Sequence, residues 1–185
     1  MKKRIPVFSM TLLLILAAIS ACEFSEVSED AGNPLPGAPV HLSFNVQTIH
    51  TQQYVRTDWI QDFDYPVVTV ITSKNELDEY YDDYRDKYNF DRSAEGYSPI
   101  SFNDAIENYS EEFFENNFIV IVLLSEYSGS IRHEVESVDS SGEILIIRKV
   151  PEIGTSDMAQ WTIIIELNND YKAEQYSVDF IEKNV

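Results

Sequence analysis

The sequence contains three histidines, and their positions limit the enzyme and metal chemistry that it can support. His41, His50 and His133 lie far apart in the chain and follow none of the short spacings that bring two imidazoles to one metal ion. A serine nucleophile needs an activating histidine and a strained turn, and Ser128–Ser130 lacks the flanking residues of a nucleophile elbow. There is also no glycine-rich phosphate-binding loop. We therefore predict no catalytic set, no metal site and no cofactor.

His133 fits a structural role better than a chemical one. It falls on the same side of an alternating segment as Ile131 and Val135, with charged residues on the other side. We expect a histidine in such a position to be packed and hydrogen-bonded in the interior rather than to bind a ligand.

A cluster of acids between Asp82 and Asp91 raises the question of calcium. The calcium loop of an EF-hand needs a glycine at its sixth position, and this segment contains none. Residues with helical spacing also run through it: Leu77, Tyr80, Tyr81, Tyr84 and Tyr88. We interpret the acids as the solvated side of a helix and the tyrosine stripe as its core side, not as a carbohydrate-stacking surface. Asn168–Asp170 is interpreted as a turn.

The single cysteine, Cys22, closes a leader with the layout of a secretory signal. Lys2–Arg4 is positive, and Val7–Ile19 is an apolar stretch too short for a membrane span, which needs about 20 residues. Ile19–Cys22 resembles the bacterial lipobox, which implies cleavage before Cys22 and a thioether-linked diacylglycerol on its sulfur. We therefore expect an extracytoplasmic protein anchored in the cell membrane by lipid. The alternative is an ordinary signal peptide or signal anchor with a chance cysteine.

The composition excludes several classes of function. The chain has 13 Lys and Arg against 32 Asp and Glu, a formal net charge of −19, and three of its basic residues belong to the leader. Nucleic acid binding is incompatible with this balance, and anionic headgroups would repel the surface, so membrane contact is expected through the lipid alone. With Cys22 acylated, disulfides and thiolate chemistry are excluded within the chain. A cationic, wall-associated or metal-rich partner remains open, and the alternative is that the acidic charge serves solubility alone.

Three regions follow along the chain. Residues 1–21 are the predicted leader, residues 22–40 form an acidic, proline-containing flexible tether, and residues 41–185 form one domain. The domain begins with a half-buried strand over 41–53 and a more buried strand at Val67–Ile71. A capping box formed by Ser73 and Glu76 starts a first helix, and a second helix begins near Ser101 or Asn103. The remaining segments are predicted strands, namely 118–124, 131–138, 144–150, 161–167 and a last one around 176–180.

This order predicts an α+β fold, because the strands and the helices are segregated along the chain. We expect a curved, mainly antiparallel sheet with the two helices packed on one face. The seven apolar residues Phe118–Leu124 show no alternation, which is typical of a central strand covered on both sides.

Residues 118–167 carry a resemblance to a known family. An apolar strand (Phe118–Leu124) leads to a glycine-containing turn (Ser128–Ser130), followed by the strands 131–138 and 144–151 and, after a loop, by Trp161–Leu167. This order is similar to the C-terminal domain of PrcB-type lipoproteins, which are accessory subunits of a surface protease complex, and to a domain of small Gram-positive lipoproteins. Here the turn reads Ser-Gly-Ser, where the family more usually has a Thr-Gly-Gly type of turn.

The resemblance implies a partner-binding or scaffolding module rather than an enzyme. The candidate partner-binding residues come from the turn, the strand after it and the later loop: Ser128, Gly129, Ser130, Arg132, Asp157 and Trp161. The alternative for Gly129 is that it only serves the turn, and for Trp161 that it only serves the core. Two other hypotheses remain open, namely a lipoprotein that binds a small molecule, a cation or a glycan, and a hydrolase acting on wall or peptide substrates.

Overall fold

A computed structural model of the chain describes residues 39–53, 64–92 and 98–185. The predicted leader, Cys22 and the tether up to residue 38 lie outside these residues. The described residues belong to one unit, Gly37–Val185. In chain order its elements are β1 (Asn45–Gln53), β2 (Val67–Ile71), α1 (Lys74–Tyr84), β3 (Tyr88–Asn89), α2 (Phe102–Ile106), α3 (Glu111–Asn116), β4 (Asn117–Glu126), β5 (Arg132–Val138), β6 (Glu143–Val150), β7 (Ala159–Asn168) and β8 (Ser177–Asn184).

The described strands form two sheets. The larger sheet is antiparallel in the order β2-β4-β7-β1-β3, and the smaller sheet has the order β5-β6-β8. β5 and β6 are antiparallel, with a bulge between Val135 and Ser137, whereas β6 and β8 run parallel. The α+β class and the mainly antiparallel pairing are confirmed. The predicted single sheet is divided in two, because β7 joins the larger sheet between β4 and β1 while the strands on either side of it in sequence pair with each other.

β4 occupies the interior of the larger sheet, which explains its uninterrupted apolar run. Side chains from alternate positions point to opposite faces of a strand. One set packs with the helices, namely Ile119, Ile121 and Leu123. The other set packs against the smaller sheet, namely Phe118, Val120, Val122 and Leu124. Every one of these seven side chains is buried, so the prediction of a strand covered on both sides is confirmed.

The helices cover one face of the larger sheet, as predicted. The Ser73 side chain accepts a hydrogen bond from the Glu76 amide at the start of α1. Glu76 reaches back one residue further than a capping box requires, since its carboxylate accepts from the amide of Thr72 at 2.6 Å. Leu77 and Tyr80 are buried, which confirms the stripe as a core side. The helix ends at Tyr84, however, so Tyr88 reaches the same core from β3.

The predicted second helix is two short helices in the structure. Ser101 caps α2 through a reciprocal capping box with Asp104. Ser110 then caps α3 by accepting from the Phe113 amide at 3.2 Å. A serine side chain that satisfies backbone amides competes with continuation of a helix, and this explains the division.

One strand boundary needs correction, since β1 begins at Asn45 rather than near residue 41. Its side chains range from exposed at Val46 (42%) to buried at Ile49, so the half-buried character is confirmed. Among the described strands β2 pairs with β4 alone, and it has four partly exposed side chains and a buried Ile71. It is therefore the more buried of the two strands, as predicted. The last predicted strand is confirmed as β8.

The predicted turns at Ser128–Ser130 and Asn168–Asp170 are confirmed. Gly142 has a φ of +90° in the β5–β6 hairpin, a backbone conformation that favours glycine. Residues 169–171 form a single 3₁₀ turn after β7. Among the described helices, none combines the length and the apolar character that crossing a membrane requires.

Candidate functional site

Two loops meet at one end of the sheets. Residues 127–131 connect β4 to β5, and residues 151–158 connect β6 to β7. The Gly129 amide donates to the Asp157 carbonyl at 2.9 Å. The Ser130 hydroxyl donates to the Thr155 hydroxyl at 3.0 Å and accepts from the Thr155 amide at 2.9 Å. The Ser128 and Thr155 hydroxyls lie 3.2 Å apart. The two loops are therefore held in a fixed relation by side chains and backbone together.

Gly129 and Gly154 lie where the two loops approach each other closely. A Cβ atom at Gly129 would lie 2.6 Å from the Asp157 carboxylate, and a Cβ at Gly154 would lie 3.0 Å from the Ser128 hydroxyl. Asp157 itself is exposed. A hydrogen bond from Thr155 is the main reason that the pKa of the Asp157 carboxyl lies below its ordinary value. Asp157 is therefore an exposed anion at this end of the molecule.

Arg132 fastens the first loop to the core. Its Nη1 donates to the carbonyls of Gly129 at 2.8 Å and Ile131 at 3.1 Å. The guanidinium carbon lies 5.3 Å from the ring centre of Trp161, within the range of a cation–π interaction. Trp161 is only 1% exposed and belongs to the core between the two sheets. It supports the loops from below and does not present its ring to solvent.

A buried charged cluster lies beneath the loops. The Glu126 carboxylate is 3% exposed and accepts from Arg148 Nε at 3.0 Å, and its second oxygen contacts Arg148 Nη2. His133 Nε2 lies 2.7 Å from the same carboxylate. Arg148 Nη1 donates outward to Glu182 at 2.8 Å. Burial alone would raise the pKa of the Glu126 carboxyl, but hydrogen bonds from His133 and Arg148 outweigh burial and lower it.

His133 is packed and hydrogen-bonded, as predicted. Its Nε2 faces Glu126, which makes Nε2 the proton-bearing nitrogen because a carboxylate can only accept. Its buried Nδ1 has no hydrogen-bond partner among the described residues. None of the described hydroxyls is hydrogen-bonded to this ring, so the described part of the chain shows no serine–histidine pair at His133.

Two histidines that are far apart in sequence converge on Trp161. The ring centres of His50 and His133 lie 4.9 Å and 5.6 Å from that of Trp161, both edge to face. Burial, and secondly the Arg132 guanidinium, lower the pKa of His50. His41 is not part of this group, since it forms a bridge with Asp139 near the β5–β6 hairpin. In the described residues no three acidic, histidine or cysteine side chains are grouped as metal ligands.

The structure brings together all six residues that the sequence singled out, but in two layers. Asp157 is exposed and Ser130 and Arg132 are partly exposed, whereas the remaining three are buried: Ser128, Gly129 and Trp161. The charged cluster below the loops was not predicted from the sequence. Nor were three exposed apolar side chains on the loops, namely Tyr127 (62%), Ile153 (89%) and Met158 (58%). Large apolar residues inside otherwise polar loops were the available signal.

Comparisons of the chain with family models, with curated proteins and with solved structures found no match.

Proposed function

We propose that this chain is a non-catalytic lipoprotein, anchored by Cys22 at the extracytoplasmic face of the cell membrane, that binds a protein partner through its paired loops. The observation that carries the proposal is the exposure of Tyr127, Ile153 and Met158 on loops that are hydrogen-bonded to each other. Exposed groups of apolar side chains mark interaction sites. The resemblance of residues 118–167 to PrcB-type lipoproteins supports the same class of function.

Each of the three apolar residues is next in sequence to a residue at which the two loops approach each other. Tyr127 precedes Ser128, and Ile153 precedes Gly154, whose Cβ position lies 3.0 Å from the Ser128 hydroxyl. Met158 follows Asp157, which contacts Gly129. Because the loops are already ordered, a partner would bind without an additional entropy cost for ordering them. Asp157 adds an exposed charge at the rim, where polar residues surround the apolar part of most interfaces.

A photo-crosslinking experiment in the full chain tests the loop surface. A photoreactive amino acid replaces Ile153 in one variant and Tyr171 in a control, because Tyr171 is also exposed (52%) but lies in the turn after β7. We expect a discrete protein adduct from position 153 and none from position 171 in the native membrane. Equal labelling at both positions, or none at either, contradicts the proposal. A ligand-dependent rise in melting temperature without any adduct would favour the small-molecule, cation or glycan alternative.

A second measurement tests the anchor separately. Labelling cells with a radioactive fatty acid should mark the wild-type chain and leave Cys22→Ala unmarked. Without the lipid we expect Cys22→Ala to lose its processing or its membrane association. Lipid incorporation into Cys22→Ala would contradict the anchor, and it would leave the interpretation of the loops unaffected.

A further inference from the structure

β8 is an exposed edge strand that pairs with β6 along its whole length and, among the described strands, with no other. Nearly all of its side chains are exposed, including the apolar residues Phe180 (36%) and Ile181 (43%). An unprotected edge of this kind presents backbone N–H and C=O groups that can pair with another strand. This surface is separate from the two loops on which the proposed function rests.

The hydrogen bonds to β6 determine which backbone N–H and C=O groups of β8 face the open edge of the sheet. The amides of Ser177 and Val185 donate to the carbonyls of Gly142 and Val150, each at 3.0 Å. Because the backbone groups of successive residues alternate in direction, the odd-numbered residues bond to β6. The even-numbered residues therefore face the open edge: Val178, Phe180, Glu182 and Asn184.

We propose that β8 pairs antiparallel with β8 of a second copy of this chain, around a two-fold axis at Ile181. In an antiparallel pair of strands, a residue whose backbone N–H and C=O point to the partner strand lies opposite a partner residue whose backbone groups point back. A symmetric β8 pair must therefore have its axis at a residue, not between two residues. An axis at Ile181 overlaps residues 177–185 completely and places the Ile181 side chains of the two copies against each other.

The charges of β8 select this register. With the axis at Ile181, Asp179 lies opposite the partner subunit's Lys183, and symmetry repeats this pair. An axis at Phe180 would place Asp179 opposite an isoleucine, and an axis at Glu182 would place that glutamate opposite itself. Opposite charges across a ladder stabilise it, and like charges destabilise it.

Asp179 and Lys183 are not paired with each other within one chain, and Lys183 acts only electrostatically on Glu134, whose direct partner is Lys149. They are four residues apart on the same strand, which corresponds to roughly 13 Å, too far for an ion pair. Neither forms an ion pair or a side-chain hydrogen bond with another described residue, while the neighbouring Lys149 pairs with Glu134 and Glu182 accepts from Arg148. In the dimer both charges are matched at non-hydrogen-bonded positions, where side chains approach most closely.

The resulting association should be weak and concentration-dependent. One edge-strand pair buries less surface than a standard interface, and small interfaces belong to transient complexes. The net charge of −19 also repels a second copy, and this repulsion is screened beyond about 8 Å at physiological ionic strength. Covalent trapping is therefore the appropriate measurement.

Disulfide trapping of the full chain in the membrane of an expressing cell tests the register. Ile181→Cys places two thiols at the axis, where cross-strand Cβ atoms come within about 4.5–5.5 Å, and mild oxidation should give a disulfide-linked dimer. Ser177→Cys is the matched control, because it lies on the same side of β8 but far from its own counterpart. The wild-type chain serves as a second control, because any disulfide-linked dimer that it forms must involve Cys22. Absence of the Ile181→Cys dimer, or equal dimer from Ser177→Cys, overturns the proposal.

Charge reversal distinguishes specific pairing from random collision. In the Ile181→Cys background, Lys183→Asp should lower the rate of dimer trapping several-fold, because it places two acids opposite each other at both ends of the pair. Adding Asp179→Lys restores opposite charges in exchanged positions and should restore the rate. A rate that is insensitive to Lys183→Asp, or that the double exchange does not recover, contradicts the Ile181 axis. Both substitutions are at exposed positions, so circular dichroism should show an unchanged fold.

Discussion

The two faces of the larger sheet are buried by different chemistry. On the helix side the core is rich in aromatic rings, and the Tyr109 hydroxyl donates to the partly exposed Glu166 carboxylate at 2.9 Å and accepts from Gln47 at 2.8 Å. On the other face the core is mainly aliphatic, and its loop end contains the buried carboxylate of Glu126 with Arg148 and His133. We therefore expect the loss of a polar contact to cost less stability on the helix side than on the other side.

The largest expected effect comes from removing the buried carboxylate. Glu126→Ala leaves His133 and two nitrogens of Arg148 without an acceptor, while Arg148 keeps Glu182. Breaking a buried pair in this way should cost about 3 kcal/mol. On the helix side, Tyr109→Phe removes a hydrogen bond to the partly exposed Glu166 carboxylate and should cost about 1.5–2 kcal/mol. Urea unfolding of the two variants measures both values. Equal losses would show that the two faces do not differ in this respect.

A smaller effect tests whether both faces are packed equally well. Ile163 and Ile164 are neighbours on β7, both fully buried, and they point to the smaller sheet and to the helices, respectively. Ile163→Val and Ile164→Val should each lower the free energy of unfolding by about 0.5–1.5 kcal/mol. A loss at only one position would mean that the opposite face is loosely packed.

The smallest effect at neutral pH is expected for a tyrosine on the helix side, and the dependence of stability on pH separates the two faces. The lowered pKa of Glu126 means that its stabilisation is present above its unfolded value of about 4.3 and is lost as the pH falls through the folded value. Burial raises the pKa of Tyr80 on the helix side, so its contribution is complete below pH of about 10 and is lost as the pH rises further.

Substitution of each group should therefore change only one limb of the stability profile. Glu126→Gln should reduce the loss of stability in acid and leave the alkaline limb unchanged. Tyr80→Phe should move alkaline unfolding to higher pH and have little effect at pH 7. Chemical unfolding measured from pH 3 to 11 gives both limbs. The comparison fails if Tyr80→Phe changes the acid limb or if Glu126→Gln changes the alkaline limb.

Patterns within one segment predicted the helices and strands better than they predicted which strands pair with each other. The apolar run of Phe118–Leu124 and the tyrosine spacing of α1 indicated burial correctly, because each depends on periodicity within one segment. The division into two sheets and the parallel pairing of β6 with β8 depend on contacts between distant segments, which no local period encodes.

The charged cluster shows why the site was only partly predictable. Counting back from the β5–β6 turn places Lys149 opposite His133, but the bulge between Val135 and Ser137 shifts the register by one residue and places Arg148 there. Arg148 shares the inner side of β6 with Ile144 and Ile146. The bulge in β5 brings His133 to that same side, so both residues reach Glu126. The loop residues themselves could be identified because glycine and serine in a short polar segment indicate a turn. The exposed Tyr127 was overlooked because exposure is a property of the assembled surface.

The parallel pairing of β6 with β8 has a consequence for the order of assembly. After β6 the chain crosses to the middle of the larger sheet as β7 and only then returns to the smaller sheet as β8. Neither sheet can therefore be completed as a separate folding unit, and contacts between such distant segments slow folding. Because the chain is synthesised from its N-terminus, one edge of β6 stays unpaired while β7 is being made. The domain gains its full stability late, when β8 adds to that edge.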